Sequence, residues 1–166
     1  HWVLSDEDHA LNWPALWPPS PAGMVSVWDL DQDSLYNQAM GALLGAQWDV
    51  TQISPVQHEL VALWRMEADI NNGGFLQFLG NWGVENHQLA LQALQAIGAP
   101  VTQQCLQDMF AVLRRFEDMP EKVDFSDLPA LLTDAEHEQL QELEEAFWDY
   151  PEPLSKLLVM HYGPAQ

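Results

Sequence analysis

The residues best suited to chemistry gather around one turn. Glu67, Asn71, Asn72, Gln77 and Asn81 surround the sequence Asn71-Asn72-Gly73-Gly74. A carboxylate among amides can serve as a base, or hold a polar ligand, if it lines a pocket that perturbs its acidity. The same residue types also cap helix ends and satisfy buried backbone groups. That second role is the expectation here, so no catalytic residue is assigned. The chain has no G-x-S-x-G element, P-loop or dinucleotide fingerprint, and the Gly73-Gly74 pair lacks the strand and lysine of a phosphate loop.

Metal and cofactor chemistry find little support. Asp29-Leu30-Asp31-Gln32-Asp33-Ser34 begins like a calcium loop, but Ser34 stands where glycine is required and Met40 where the closing glutamate belongs. Helix capping accounts better for those aspartates. His1, His9, His58, His87, His137 and His161 show no paired spacing for a metal and read as surface or capping residues. Cys105 is the sole cysteine and lies in an apolar helical pattern, as a small core residue does. No metal and no cofactor are expected.

The elements that position these residues are helices. The expected fold is all-α, a single compact domain of six or seven helices behind an extended Trp/Pro-rich arm. Residues 1–33 form that arm, with Trp2, Trp13, Trp17 and Trp28 packing on the body, and residues 34–166 form the helical domain. Asp33 or Ser34 caps a helix from Leu35 to about Trp48, and Pro55 opens another that runs through Ile70. A short helix follows from Phe75 to about Leu79. Residues 85–97 form a longer one, closed by Gly98 and Pro100. Helices over 101–117, 134–149 and 153–161 complete the set, with a loop from Met119 to Pro129. The N-terminal stretch lacks the basic region of a signal peptide and no apolar run spans a membrane, so the expected location is cytoplasmic.

Charge is the unusual property. There are 25 acidic residues against 5 basic ones, a net charge of −20. That field repels nucleic acid and anionic membrane and attracts basic proteins. Thirteen of the 25 acidic residues lie within 117–152, with Lys122 the only basic residue there. Asp134, Glu138, Glu142, Glu145 and Asp149 recur at helical spacing along one face, a row about 22 Å long. Glu136 and Glu144 widen the row, while Leu140, Leu143, Phe147 and Tyr150 take the opposite side. Like charges four residues apart repel, so an unmixed row points to negative potential that is itself useful. The expected partner is a basic protein: a DNA-binding protein whose phosphate surface the row fills, or a basic toxin or nuclease that it neutralises. Two rivals are an enzyme built on Glu67 and the amides, and simple adaptation to salt.

The stretch from Glu67 to Gly83 adds family evidence. Glu67, Asn71, Asn72, Gly73, Gly74, Phe75, Gln77, Phe78 and Asn81 match the signature of a bacterial family, although Gly83 falls one position early. The chain thus resembles, over residues 35–162, the family typified by the acidic DNA-mimic protein of Neisseria. The resemblance implies an all-helical fold, a homodimer in some members, no enzymatic activity, and binding to a transcription factor in competition with DNA. It implies that the signature marks the fold and leaves binding to the acidic surface. The Trp/Pro-rich N-terminus departs from the family pattern.

Overall fold

The structure, a computed structural model, describes residues 27–119 and 123–163. Among them are seven α-helices and no strand, arranged as one compact helical domain. Of the extended arm expected over residues 1–33, residues 1–26 lie outside the described residues, and residues 27–33, Trp28 included, are not extended but open the first helix.

Helix α1 spans Val27–Gly45. It begins about two turns before the expected cap at Asp33 or Ser34. Asp29 sits in its first turn, where a carboxylate favours the helix dipole. Ser34 is interior, and its hydroxyl donates back to the Leu30 carbonyl at 3.1 Å. The capping reading failed because aspartates suit both a cap and a first turn. Gln32, Leu35, Tyr36, Ala39, Met40 and Leu43 make up its buried face.

Helix α2, Pro55–Asn72, starts as expected at proline. Ser54 and Gln57 form a reciprocal capping box, with both bonds at 3.1 Å. Helix α3 spans Phe75–Ile97 and joins the two helices expected separately. Gly83, at φ 80°, breaks the helical path between them. Gly98 closes α3 in the left-handed conformation, and Pro100 opens α4, Pro100–Val112.

The loop expected before Pro129 is shorter than its two prolines suggest. A single turn at Phe125–Asp127 leads directly into α5, Leu128–Leu131. Pro129 sits in the first turn of α5, where a missing N–H costs nothing. Helix α6, Asp134–Trp148, and α7, Leu154–Tyr162, follow. In the packed domain α2 lies between α1 and α3, α7 rests on α1 and α3, and α4 carries α6.

Leu43, Leu63, Met66, Ile70, Phe75, Phe78, Leu79, Leu94, Leu106 and Met109 are sealed in the core. His87 is among them, which corrects the surface reading of the histidines. Its ring stacks on Phe110 at 4.8 Å and meets Phe75 edge-on at 5.5 Å. Burial pushes its imidazole down to about 4, so it packs as a neutral aromatic ring. Cys105 is also buried, as expected, and its thiol reaches the Leu143 carbonyl of α6. Among the described residues no helix is long and apolar enough to cross a membrane.

Truncating a core ring in this close-packed centre leaves a cavity. Phe78→Ala should lower stability by about 3–5 kcal/mol. Urea unfolding will show this as a lower midpoint at an unchanged slope.

Candidate functional site

Two carboxylates, Glu67 and Asp69, leave α2 on different sides, and both are buried. Glu67 is 1% exposed. One of its oxygens accepts from the Tyr36 hydroxyl at 2.5 Å and from Gln32 Nε2 at 2.9 Å, both on α1. The other accepts from the Tyr150 hydroxyl at 2.8 Å, just beyond α6. Asn71 Nδ2 donates in turn to the Tyr150 oxygen at 2.9 Å. Burial pushes the Glu67 carboxyl up to about 7, the two tyrosine hydroxyls oppose the rise, and Asp33 and Asp29 add to it. Both tyrosines are raised far above their ordinary range, chiefly by burial.

Asp69 serves the neighbouring turn. It accepts from Gln77 Nε2 at 3.0 Å, Trp82 Nε1 at 2.5 Å and Asn81 Nδ2 at 3.3 Å. Burial pushes its pKa up, and these donors pull it back. The amides of the turn were expected to cap backbone groups. Instead Gln77 and Asn81 satisfy a buried carboxylate, and Asn71 holds a tyrosine. Asn72 ends α2 exposed.

The turn also docks the acidic helix. The Phe75 N–H, at the open start of α3, donates to Glu144 Oε2 at 2.6 Å. A Cβ on Gly74, which stands at φ 99°, would overlap that same oxygen, and one on Gly73 would overlap Gln77 Oε1. The two glycines are therefore the space into which Glu144 and Gln77 fit. Trp148 Nε1 donates to the Ile70 carbonyl at 2.9 Å, giving α6 a second anchor on the end of α2. Tyr150 supplies the third, held at φ 47° where a bulky residue is strained.

These contacts divide the seven carboxylates of the expected acidic surface. Glu144 is half-buried, turned inward as a cap for α3, and raised by burial. Glu136 completes a capping box with Thr133 and takes a two-pronged bond from Arg115, both prongs at 2.8 Å. Arg115 and the Thr133 N–H hold it down to about 2. Asp134, Glu138, Glu142, Glu145 and Asp149 are exposed and make no ion pair among the described residues. Glu136 and Glu144 thus serve the fold, while five carboxylates face outward.

Several residues of this arrangement were not anticipated. Gln32, Tyr36, Asp69, Trp82 and Tyr150 are brought in by tertiary packing. The one local signal was Glu67 and Asp69 set within the run from Leu60 to Ile70, where most neighbours are apolar. Among the described residues no cluster of metal-ligating side chains occurs.

Fold and site together define an all-helical acidic domain whose asparagine-glycine turn anchors a charged helix. Residues 51–162 match the family described as DMP19-like protein, and the chain belongs to that family. The match covers all of α2 to α7. No curated protein and no solved structure matches the chain.

Two outcomes follow from this geometry. Gly74→Ala should destabilise the fold by about 1–3 kcal/mol, through strain and loss of the Glu144 cap, measured by urea unfolding. The second concerns pH. Between its ordinary value and about 7, Glu67 keeps a proton in the folded state that the unfolded chain has released. Its contribution is therefore complete at low pH and is lost as pH rises toward 7. His87 acts in the opposite sense, losing stability as pH falls toward about 4. The stability difference between wild type and Glu67→Gln isolates the first effect. It should shift against wild type by on the order of 3 kcal/mol from pH 4.5 to above 7. An unchanged difference across that series refutes the assignment.

Proposed function

We propose that this protein is a non-catalytic DNA mimic that occupies the DNA-binding surface of a basic protein, such as a transcription factor. The observation that carries the reading is the row Asp134, Glu138, Glu142, Glu145 and Asp149, exposed along one helix without ion-pair partners. Membership of the DMP19-like family supports it. A basic DNA-binding surface is built to meet regularly spaced negative charge, and charge of that sign steers encounter at long range. The carboxylate with the most perturbed acidity at the signature turn, Glu67, is sealed and bonded on both oxygens. That favours a binding role over an acid–base role. The partner's DNA site implies a shared compartment, the cytoplasm.

The test is capture from a native bacterial lysate with tagged protein, followed by titration of the captured partner. Binding should weaken steeply as salt rises, and a duplex carrying the partner's site should compete for it. Replacing the five outward acids with Asn or Gln should weaken binding by more than about tenfold while leaving the melting temperature nearly unchanged. Unaltered affinity in that variant sinks the assignment of the row. Capture of a basic nuclease or toxin that no DNA displaces supports the immunity-like alternative.

A further inference from the structure

The Glu67 network carries more information than a stable core requires. Its hydroxyls and amide form a chain in which one acceptor is left over. Asn71 Nδ2 donates to the Tyr150 oxygen, the Tyr150 hydroxyl donates to Glu67 Oε1, and Asn71 Oδ1 is buried with no partner among the described residues. Each link of that chain can be reversed. A carboxylic acid donates where a carboxylate accepts, a tyrosine hydroxyl does both, and an asparagine presents either its oxygen or its nitrogen after a half-turn of the amide.

We propose that Glu67, Tyr150 and Asn71 form a reversible hydrogen-bond relay whose direction is set by a proton on Glu67. In the ionised form the bonds run from Asn71 through Tyr150 to Glu67, as observed. When Glu67 Oε1 takes a proton from solvent, it donates to the Tyr150 oxygen. The Tyr150 hydroxyl then turns to Asn71, whose amide swings over to present Oδ1. The acceptor left over in one form is used in the other, the swing carries Nδ2 to the place Oδ1 held, and no helix has to move. The second carboxylate oxygen keeps its bonds from Tyr36 and Gln32 in either form.

The surroundings hold the two forms close in energy. The titratable groups that face Glu67 are Asp29, Asp33 and Tyr36 from α1, and Tyr150 from the segment after α6. Burial opposes ionisation most, the two tyrosine hydroxyls favour it, the two aspartates add to the effect of burial, and Glu67 has no ion-pair partner among the described residues. Its titration consequently falls at about 7, where small changes in its field shift its charge. Tyr150 directly follows Asp149, so the relay ends beside the acidic face of α6. This inference stands whether or not the acidic face binds a DNA-binding protein.

Nuclear magnetic resonance on the intact chain tests it. The Glu67 carboxyl carbon and the Asn71 side-chain amide should titrate with one common midpoint near neutral pH. Glu67→Gln, whose amide donates permanently to Tyr150, should fix the relay in its reversed form and flatten the Asn71 response. Tyr150→Phe should abolish the Asn71 response while Glu67 still titrates, and Tyr36→Phe should leave the Asn71 response in place. Asn71 resonances that stay constant while Glu67 titrates overturn the relay. So does a Glu67 that titrates in the ordinary carboxylate range. Should Tyr150→Phe fail to fold, wild type and Glu67→Gln alone decide the matter.

Discussion

Glu67 sits 1% exposed with no ion-pair partner among the described residues, and that one fact constrains much of the molecule. A carboxylate removed from water is costly unless donors replace its hydration shell. The donors come from Gln32 and Tyr36 on α1 and from Tyr150 after α6, segments far apart in sequence. Meeting the demand of a single side chain therefore locates two other helices relative to α2. Asp69 makes the same demand on the other side and is answered by the first turns of α3. The domain is assembled around two acids as much as around its apolar core.

The signature turn can be understood in the same terms. Gly73 and Gly74 mark where two side chains, Gln77 and Glu144, pass against the backbone. Glu144 comes from the acidic helix, so the asparagine-glycine turn also receives the helix that carries the acidic row. The acidic helix and the rest of the fold are joined at Phe75, Ile70 and Glu67, through Glu144, Trp148 and Tyr150 respectively.

Much of this was legible in the sequence, and the limits have physical causes. Helix periodicity, Pro55 and Gly98 placed most elements, because those signals act within a few residues. The start of α1 was misplaced because aspartates stabilise a first turn as well as a cap. Five acids of α6 were correctly separated from its apolar side by spacing alone. Spacing could not separate Glu136 and Glu144 from them, because Arg115 and the Phe75 N–H arrive from other elements. His87 was misread for the same reason, since only packing brings Phe75 and Phe110 to its ring. Tyr36 and Tyr150 carried no local mark of their role.

The division of labour on α6 has an evolutionary consequence. Its inward positions are tied to the cap of α3, to Arg115 and to the core, so they cannot drift without cost to folding. The five outward positions bear no such duty. Their charge, length and order can be rewritten while the helix stays where it is. A lineage built on this chassis is free to redraw its acidic face one surface residue at a time, and a new surface need not wait for a new fold.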